Sequence, residues 1–398
     1  MEKLGVLDSG IGGLNIAKNL HKKTDLDIVF LADQKNLPYG DKSKEEMQKI
    51  LSENINWFLN KNINNILLAC NTASTYIDYL REKFPSVTID SIIEITSKKI
   101  KEEDNIMILA TKRTVASKEF SRHLNNSPDY LALGGLAKLI ENNNKEDIED
   151  YLKEKLKGLS KDKKYLLACT HYPIVKDIFK KVLGAEPIDS INAVVDHYKE
   201  AKGEKKLKVY TSSNLKKLRD QIENIFKLKE EVFFYKEAYK IVVVSDNHGH
   251  YSPISKVLEN NRDAAAFIHC GDVELEPELV SDFYVVSGNN DYSNDYQKNR
   301  KVVVGDYLIY VTHGHEHPRY RRLENTYKDA QAIGADIVCF GHEHIFKEAW
   351  IEDTLLLNPG SLFYNRDNSP NSYAVIEIEN DNINVKRVDL LGSILWAI

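Results

Sequence analysis

The chain has 398 residues, a length that favours two or three domains over one core. It is 42% hydrophobic and 29% charged, with a net charge of −6, so it is neither a low-complexity chain nor one with a general basic footprint for nucleic acid. The longest apolar runs, such as Ile241–Val244 and Ile63–Cys70, fall far short of the roughly 20 residues that span a membrane.

The first 230 or so residues alternate short apolar strands with amphipathic stretches. Strands are predicted at Leu4–Leu7, Asp27–Leu31, Asn65–Ala69, Val87–Asp90, Ile106–Ala110 and Tyr165–Ala168, with helices such as Lys44–Lys61 and Ser74–Lys83 between them. That alternation predicts parallel sheets covered by helices, with ligands at the carboxyl ends of the strands. A strand at Lys205–Tyr210 and a helix at Leu215–Phe226 follow, and the charged Lys227–Glu231 leads into Val232–Tyr235. A new strand–loop–helix unit starts at Tyr239–Val244, with Ser252-Pro253 expected to cap and open its helix. From Lys301 the chain turns strand-rich and ends in antiparallel strands near Tyr373–Ile378 and Ile383–Val388. The predicted domains are 1–236 and 237–398, an α/β fold followed by an α/β sandwich.

Four cysteines without paired spacing point to reduced thiols in a cytoplasm, and the opening K-L-G-V-L-D-S does not read as a signal peptide. Two of those cysteines repeat one phrase. N-I-L-L-A-C-N-T and K-Y-L-L-A-C-T-H put Cys70 and Cys169 at the ends of two strands, each opening a polar turn. A helix is expected just past each turn, and helix N-termini favour the thiolate. Two such units suggest two related half-domains with a thiol on either side of a cleft. Racemisation at a carbon centre needs that arrangement: one thiolate removes a proton from one face, and the opposite thiol delivers one to the other. Redox use is the competitor, but no C-x-x-C occurs. Asp8-Ser9-Gly10-Ile11-Gly12-Gly13 follows the first strand and is expected to aim backbone N–H groups at an anion. It fails as a dinucleotide fingerprint because position 15 is asparagine, and it is not a P-loop.

D-S-G-I-G-G, L-P-Y-G at Leu37–Gly40, A-C-N-T-A-S and A-C-T-H-Y-P, in this order, resemble glutamate racemase over residues 1 to about 230. The resemblance implies a pair of pseudo-symmetric parallel α/β half-domains and cofactor-independent interconversion of L- and D-glutamate, which supplies D-glutamate for peptidoglycan. It implies Cys70 and Cys169 as the two acid/bases, assisted by Asp8 and His171. Ser9, Tyr39, Gly40, Asn71, Thr72, Thr111, Thr114 and Thr170 would bind substrate. The chain departs from the family's pattern at Leu131–Asn144, where an A-C-P segment and an acidic loop are usual, and at Asp33-Gln34, where Asp-Thr is usual.

Of 12 histidines, eight lie from His248 to His344. There the chain reads S-D-N-H-G-H, H-C-G-D-V-E, S-G-N-N-D, V-T-H-G-H and F-G-H-E-H, each phrase following an apolar strand. Mixed oxygen and nitrogen donors without thiolate suit Mn, Fe or Zn in a reactive centre. The order resembles the calcineurin-like metallophosphoesterases over about 240 to 390, including N-P-G-S at Asn358–Ser361. This resemblance implies an α/β/β/α sandwich and two divalent metal ions, Mn first and Fe or Zn as alternatives. One would be held by Asp246, His248, Asp272 and His344; the other by Asp272, Asn289, His313 and His342. Asp291 is expected to orient a neighbour, Cys270 and Cys339 to pack, and His250, His269, His315 and His317 are left open.

The joint expectation is a bifunctional cytoplasmic enzyme acting on small molecules, glutamate and a phosphoester. No membrane or nucleic-acid partner is expected, and a homodimer is left open. The alternatives are that only one domain is active, the other being a regulatory or binding module, or that the racemase acts on aspartate or another amino acid.

Overall fold

Strand β1 (Lys3–Asp8) is buried at every position after its first, as a strand flanked by neighbours in a helix-covered sheet must be. In the computed structural model, which describes residues 3–291, 296–380 and 382–395, it pairs in parallel with β2 (Asp27–Ala32) on one side and β3 (Asn65–Leu68) on the other. β4 (Thr88–Ser91) adds to β3, and β8 (Leu207–Thr211) adds to β2, both in parallel. A second parallel sheet runs β6 (Asp129–Ala132), β5 (Ile106–Ala110), β7 (Lys164–Ala168). These two parallel sheets belong to one unit of the chain, Met1–Thr211 with Gln221–Val232; the other unit is Ser212–Asp220 with Phe233–Ile398.

The helix predicted as Ser74–Lys83 is two pieces, Asn71–Ser74 and Ile77–Lys83. The first starts directly after Cys70, because β3 ends two residues earlier and the polar turn is itself helical. The departing segment 131–144 is mostly ordered structure: the end of β6, then a helix Leu136–Glu141 that buries Leu136 and Ile140 against Leu109, Leu167 and Tyr172.

The second unit contains two mixed five-stranded sheets. One runs Tyr284–Val285, Ala266–His269, Tyr239–Val244, Ser372–Glu379, Asn382–Asp389, parallel in its first three strands and antiparallel in the rest. The expected terminal pair is seen in the register Tyr373 opposite Val388 and Ile378 opposite Ile383. The other runs Asn299–Val304, Tyr307–Thr312, Ile337–Cys339, Thr354–Pro359, Phe346–Ile351. Helix Tyr251–Asn260 packs Ile254 and Val257 onto the first sheet, each burial worth about 1.5–3 kcal/mol. Helix Arg322–Gln331 packs Tyr327 and Ala330 onto the second. The former helix starts at Tyr251 with His250 as its cap, two residues before the Ser252-Pro253 start read from the sequence. Pro253 is tolerated at the third position because no residue of a helix's first turn has an intrahelical acceptor for its N–H. Among the described residues no helix is long and apolar enough to cross a membrane.

Candidate active sites

Each phrase singled out in the first unit begins where a buried parallel strand runs out. Asp8 ends β1, Cys70 lies two residues past β3, and Cys169 follows β7 directly. The three converge because β1 and β3 are neighbours, while the turn after β7 meets the start of helix Gly12–Lys23. A Cβ on Gly12 would lie 2.5 Å from Thr170 Oγ1 and 2.7 Å from the His171 nitrogen, so only glycine allows that approach. Ser9, Tyr39, Gly40, Cys70, Asn71, Thr72, Thr111, Cys169, Thr170 and His171 line one narrow cavity, along with Leu37, Pro38 and Ala137. Asp8 and Thr114 stand behind its wall. Asp8 Oδ2 accepts from Thr170 Oγ1 at 2.9 Å, and Thr114 shares hydroxyl contacts with Thr72 at 3.4 Å and Thr111 at 3.0 Å.

The two thiols have different neighbours. Cys70 Sγ is 3.9 Å from Ser9 Oγ; burial pushes this thiol up, and the Asp8 carboxylate pushes it further. The short helix after Cys70 does not reverse this, because one backbone N–H offsets little of the desolvation. Cys169 Sγ is 3.9 Å from His171 Nδ1, and the other ring nitrogen, Nε2, is 2.7 Å from Glu141 Oε1. Burial disfavours the His171 cation, yet Cys169 and Glu141 together hold its pKa well above the usual histidine range. Asn71 is 2% exposed, and neither its amide oxygen nor its nitrogen has a hydrogen-bond partner. A buried orphan amide on a cavity wall implies a polar guest.

The glycine-rich turn behaves differently from its sequence expectation. Gly10 N–H donates to Asp8 Oδ1 at 2.9 Å and Ile11 N–H to Glu141 Oε1 at 3.1 Å, so the protein's own carboxylates take the donors expected to face a ligand. A Cβ on Gly10 would sit 2.3 Å from Glu141 Oε1, which is the room the carboxylate occupies. Glu141 was not singled out from sequence. It lies inside the departing 131–144 segment, and nothing local marks a lone glutamate at a helix end. Its second oxygen accepts from Gln221 Nε2 at 2.6 Å. Tyr39 reaches the cavity, but its hydroxyl donates to Asp33 Oδ2 at 2.7 Å and is braced by Asn54.

In the second unit the five phrases meet around two groups of potential ligand atoms, Asp246 with His248 and His344, and Asp246 with Asp272 and His313. Asp246 thus belongs to both groups, whereas the resemblance gave Asp272 the shared position. His248 Nδ1 meets Glu274 Oε1 at 2.7 Å, His313 Nδ1 meets the Cys270 carbonyl at 2.7 Å, and His344 Nδ1 meets the Tyr364 carbonyl at 2.9 Å. Oxygen partners put the proton on Nδ1 and leave the lone pair on Nε2. Two of those lone pairs face each other, with His248 Nε2 3.3 Å from His344 Nε2, which in turn is 3.1 Å from Asp246 Oδ1. That carboxylate oxygen is buried without a hydrogen bond. His313 Nε2 lies 3.2 Å from Asn289 Oδ1 and 3.4 Å from Asp272 Oδ2. The His342 ring is 5.1 Å from that of His313, and burial lowers its pKa to about 4, which keeps it neutral. Asp246, His248, Asp272, His342 and His344 all hold positive φ angles, a concentration of backbone strain that accompanies functional loops. Lone pairs that converge on an orphaned carboxylate oxygen fit a pair of divalent cations.

Asp291 orients its surroundings, with Oδ1 accepting from Val273 and Glu274 N–H and Oδ2 from Gly288 N–H. Cys270 and Cys339 are wholly buried. His269 is buried on Asn247 and held neutral, its pKa lowered to about 4 by burial; His317 pairs with Asp329 at 2.8 Å. His315 Nδ1 is buried without a partner, and His250 stacks on Phe363. Glu274, Asn290 and Ser361 were missed, since each acts on a ligand far away in sequence: Asn290 clasps both oxygens of Asp272, and Ser361 Oγ donates to the Asp246 carbonyl.

A paired parallel α/β fold with two cysteines on one cavity, joined to a mixed α/β sandwich with a His/Asp cation site, defines a two-domain chain of racemase and metallophosphoesterase architecture. Residues 16–198 match the Asp/Glu/Hydantoin racemase family, and 239–381 match the calcineurin-like phosphoesterase superfamily domain. A glutamate racemase of Campylobacter jejuni is 32% identical over 238 residues, 55% of this chain and 95% of the relative. The crystal structure of glutamate racemase from that species aligns with a TM-score of 0.52 at 28% identity, over 57% of this chain and 100% of the other. The probable metallophosphoesterase YsnB of Bacillus subtilis is 35% identical over 156 residues, 38% of this chain and 92% of the relative. The chain belongs to the Asp/Glu racemase family through its N-terminal part and to the calcineurin-like phosphoesterases through its C-terminal part.

Proposed function

We propose that the N-terminal domain racemises glutamate by two-base proton transfer. The observation that carries this reading is the placement of Cys70 and Cys169 on one cavity with unlike assistants. In one direction a thiolate takes the α-proton, the electron pair delocalises toward the substrate carboxylate, and the opposite thiol protonates the other face. The thiol and thiolate have then exchanged roles, and the reverse reaction resets them. His171, held protonated by Glu141, keeps a proton beside Cys169; Asp8 acts next to Cys70. Asn71 supplies an unengaged amide for the substrate's charged groups, and the threonines of the cavity supply hydroxyls. Glutamate rather than aspartate is favoured by relatives named glutamate racemase. The product would supply D-glutamate for peptidoglycan.

The C-terminal domain is proposed to hydrolyse a phosphodiester or small phosphomonoester. Two divalent cations of the Mn, Fe or Zn type, when bound, would polarise the phosphoryl oxygens and acidify the attacking water. Asp246 with His248 and His344 would hold one, and Asp246 with Asp272, Asn289, His313 and His342 the other. Glu274, Cys270 and Tyr364 fix the ring orientations through Nδ1, and Asn290 and Ser361 fix the carboxylates.

Circular dichroism of intact protein with D-glutamate tests the first activity, and bis(p-nitrophenyl) phosphate with Mn²⁺ tests the second. Cys70→Ala and Cys169→Ala should each abolish racemisation and leave hydrolysis unchanged, while EDTA should do the reverse. Full racemase activity in either cysteine variant would overturn the two-base assignment.

A further inference from the structure

Beside the cation site lies a short segment, Phe363–Arg366, whose side chains the proposed chemistry does not use. It is anchored to the site by backbone. His344 Nδ1 donates to the Tyr364 carbonyl at 2.9 Å, Arg366 N–H donates to the His344 carbonyl at 2.9 Å, and the N–H groups of Phe363 and Tyr364 donate to Ser361 Oγ, which itself holds the Asp246 carbonyl. Asp246 and His344 are therefore rigidly referenced to this segment. Its two aromatic side chains face outward, Phe363 at 47% and Tyr364 at 53% exposed, while Asn365 is buried.

Two adjacent aromatics, each about half exposed, place apolar surface directly beside the cation site. Phe363 is not loose. Its ring stacks on His250 with centroids 4.4 Å apart and planes 18° apart, and it stands 6.0 Å from the ring of His248. The imidazole of His250 is pinned in turn by contacts from Nδ1 to the Asn247 and His248 carbonyls at 3.1 and 2.8 Å. A phenyl ring supported on one side by a fixed imidazole, and exposed over about half its surface, is a stacking platform one ring's width from a cation ligand.

We propose that Phe363 is a specificity-determining residue of the phosphoesterase domain, stacking a planar heteroaromatic ring of the substrate, so that the substrate class is a nucleotide-type phosphoester rather than a sugar phosphate. This rests on the phosphoesterase reading for the position of the phosphate, while the platform itself rests on the ring geometry. Continuity with the centre selects the occupant: a ring on Phe363 is linked through a sugar to a phosphate at the His248 and His344 end.

AMP and ribose 5-phosphate share the phosphate and sugar and differ only in the base. Calorimetric binding to the intact protein with Mn²⁺ should give AMP roughly tenfold tighter binding, at the lower end of what base–aromatic stacking supplies. Phe363→Ala should close that gap by weakening AMP alone, and Phe363→Trp should keep it. Near-equal binding of the two ligands by wild type, absence of AMP binding, or a gap that survives Phe363→Ala would each overturn the proposal. Hydrolysis of bis(p-nitrophenyl) phosphate is read in parallel: activity without the base-dependent gap sinks the platform alone, and a Phe363-dependent gap without activity sinks the hydrolase reading alone.

Discussion

Glu141 Oε1 lies 2.7 Å from His171 Nε2, both side chains being at most 5% exposed, and the far side of the same imidazole lies 3.9 Å from Cys169 Sγ. The carboxylate therefore acts on one thiol through an imidazole, whereas Ser9 and the Asp8 carboxylate stand beside the other. An enzyme that treats mirror-image substrates would thus use two chemically unlike hands.

Glu141→Gln preserves shape and removes the charge that holds the His171 proton. We expect kcat to fall at least about tenfold, the scale of general acid–base assistance. Because the equilibrium constant of a racemisation is one, kcat/KM must fall equally in both directions. The asymmetry must then show in the kinetic isotope effects with α-deuterated L- and D-glutamate, which should become unequal. Equal isotope effects in the variant would mean that Glu141 does not serve Cys169 selectively.

The same pair predicts a pH dependence of stability. The folded-state pKa of His171 lies well above its unfolded value of about 6.5, so its contribution is full below that value and is lost as pH rises through the folded pKa. The difference in thermal midpoint between wild type and His171→Gln should be largest near pH 6 and shrink steadily toward pH 10. A difference that grows with pH would contradict a protonated His171 in the fold.

Much of this site was legible in the chain because strand-end phrases carry it. A strand must run out somewhere, and Cys70, Cys169, Asp8 and the histidine phrases sit at those ends in register with hydrophobic patterning. What stayed hidden were groups whose role is set only by tertiary approach. Glu141 follows Ile140 on an ordinary amphipathic turn, and Gln34 looks like a local oddity in D-Q. The fold joins the two departures through a third residue. Gln34 Nε2 donates to Gln221 Oε1 at 2.8 Å, and Gln221 Nε2 donates to Glu141 Oε2 at 2.6 Å. Gln34→Thr cannot reach Gln221, and we expect it to cost about 0.5–1.5 kcal/mol and a few-fold in kcat, with little change in KM. A double-mutant cycle with Glu141→Gln should be non-additive; strict additivity would mean that the two sites are not linked.

In the second unit the orphan oxygen of Asp246 makes a thermodynamic prediction. A buried carboxylate oxygen without a hydrogen bond, facing two imidazole lone pairs across positive-φ loops, is a strained arrangement that a cation relieves. Binding to the folded state alone should raise stability by RT ln(1 + [M]/Kd), about 2.7 kcal/mol when the metal is at 100 times its Kd. Wild type should therefore show a thermal transition that climbs with added Mn²⁺ and falls back with EDTA. Asp246→Asn keeps the volume of the side chain and removes its charge, so the metal-free transition should shift little while the Mn²⁺-dependent rise is lost. Because Asp246 belongs to both ligand groups, this one substitution should lower the bound-metal stoichiometry more than His313→Ala, which touches one group. Equal stoichiometry in the two variants would return the shared position to Asp272.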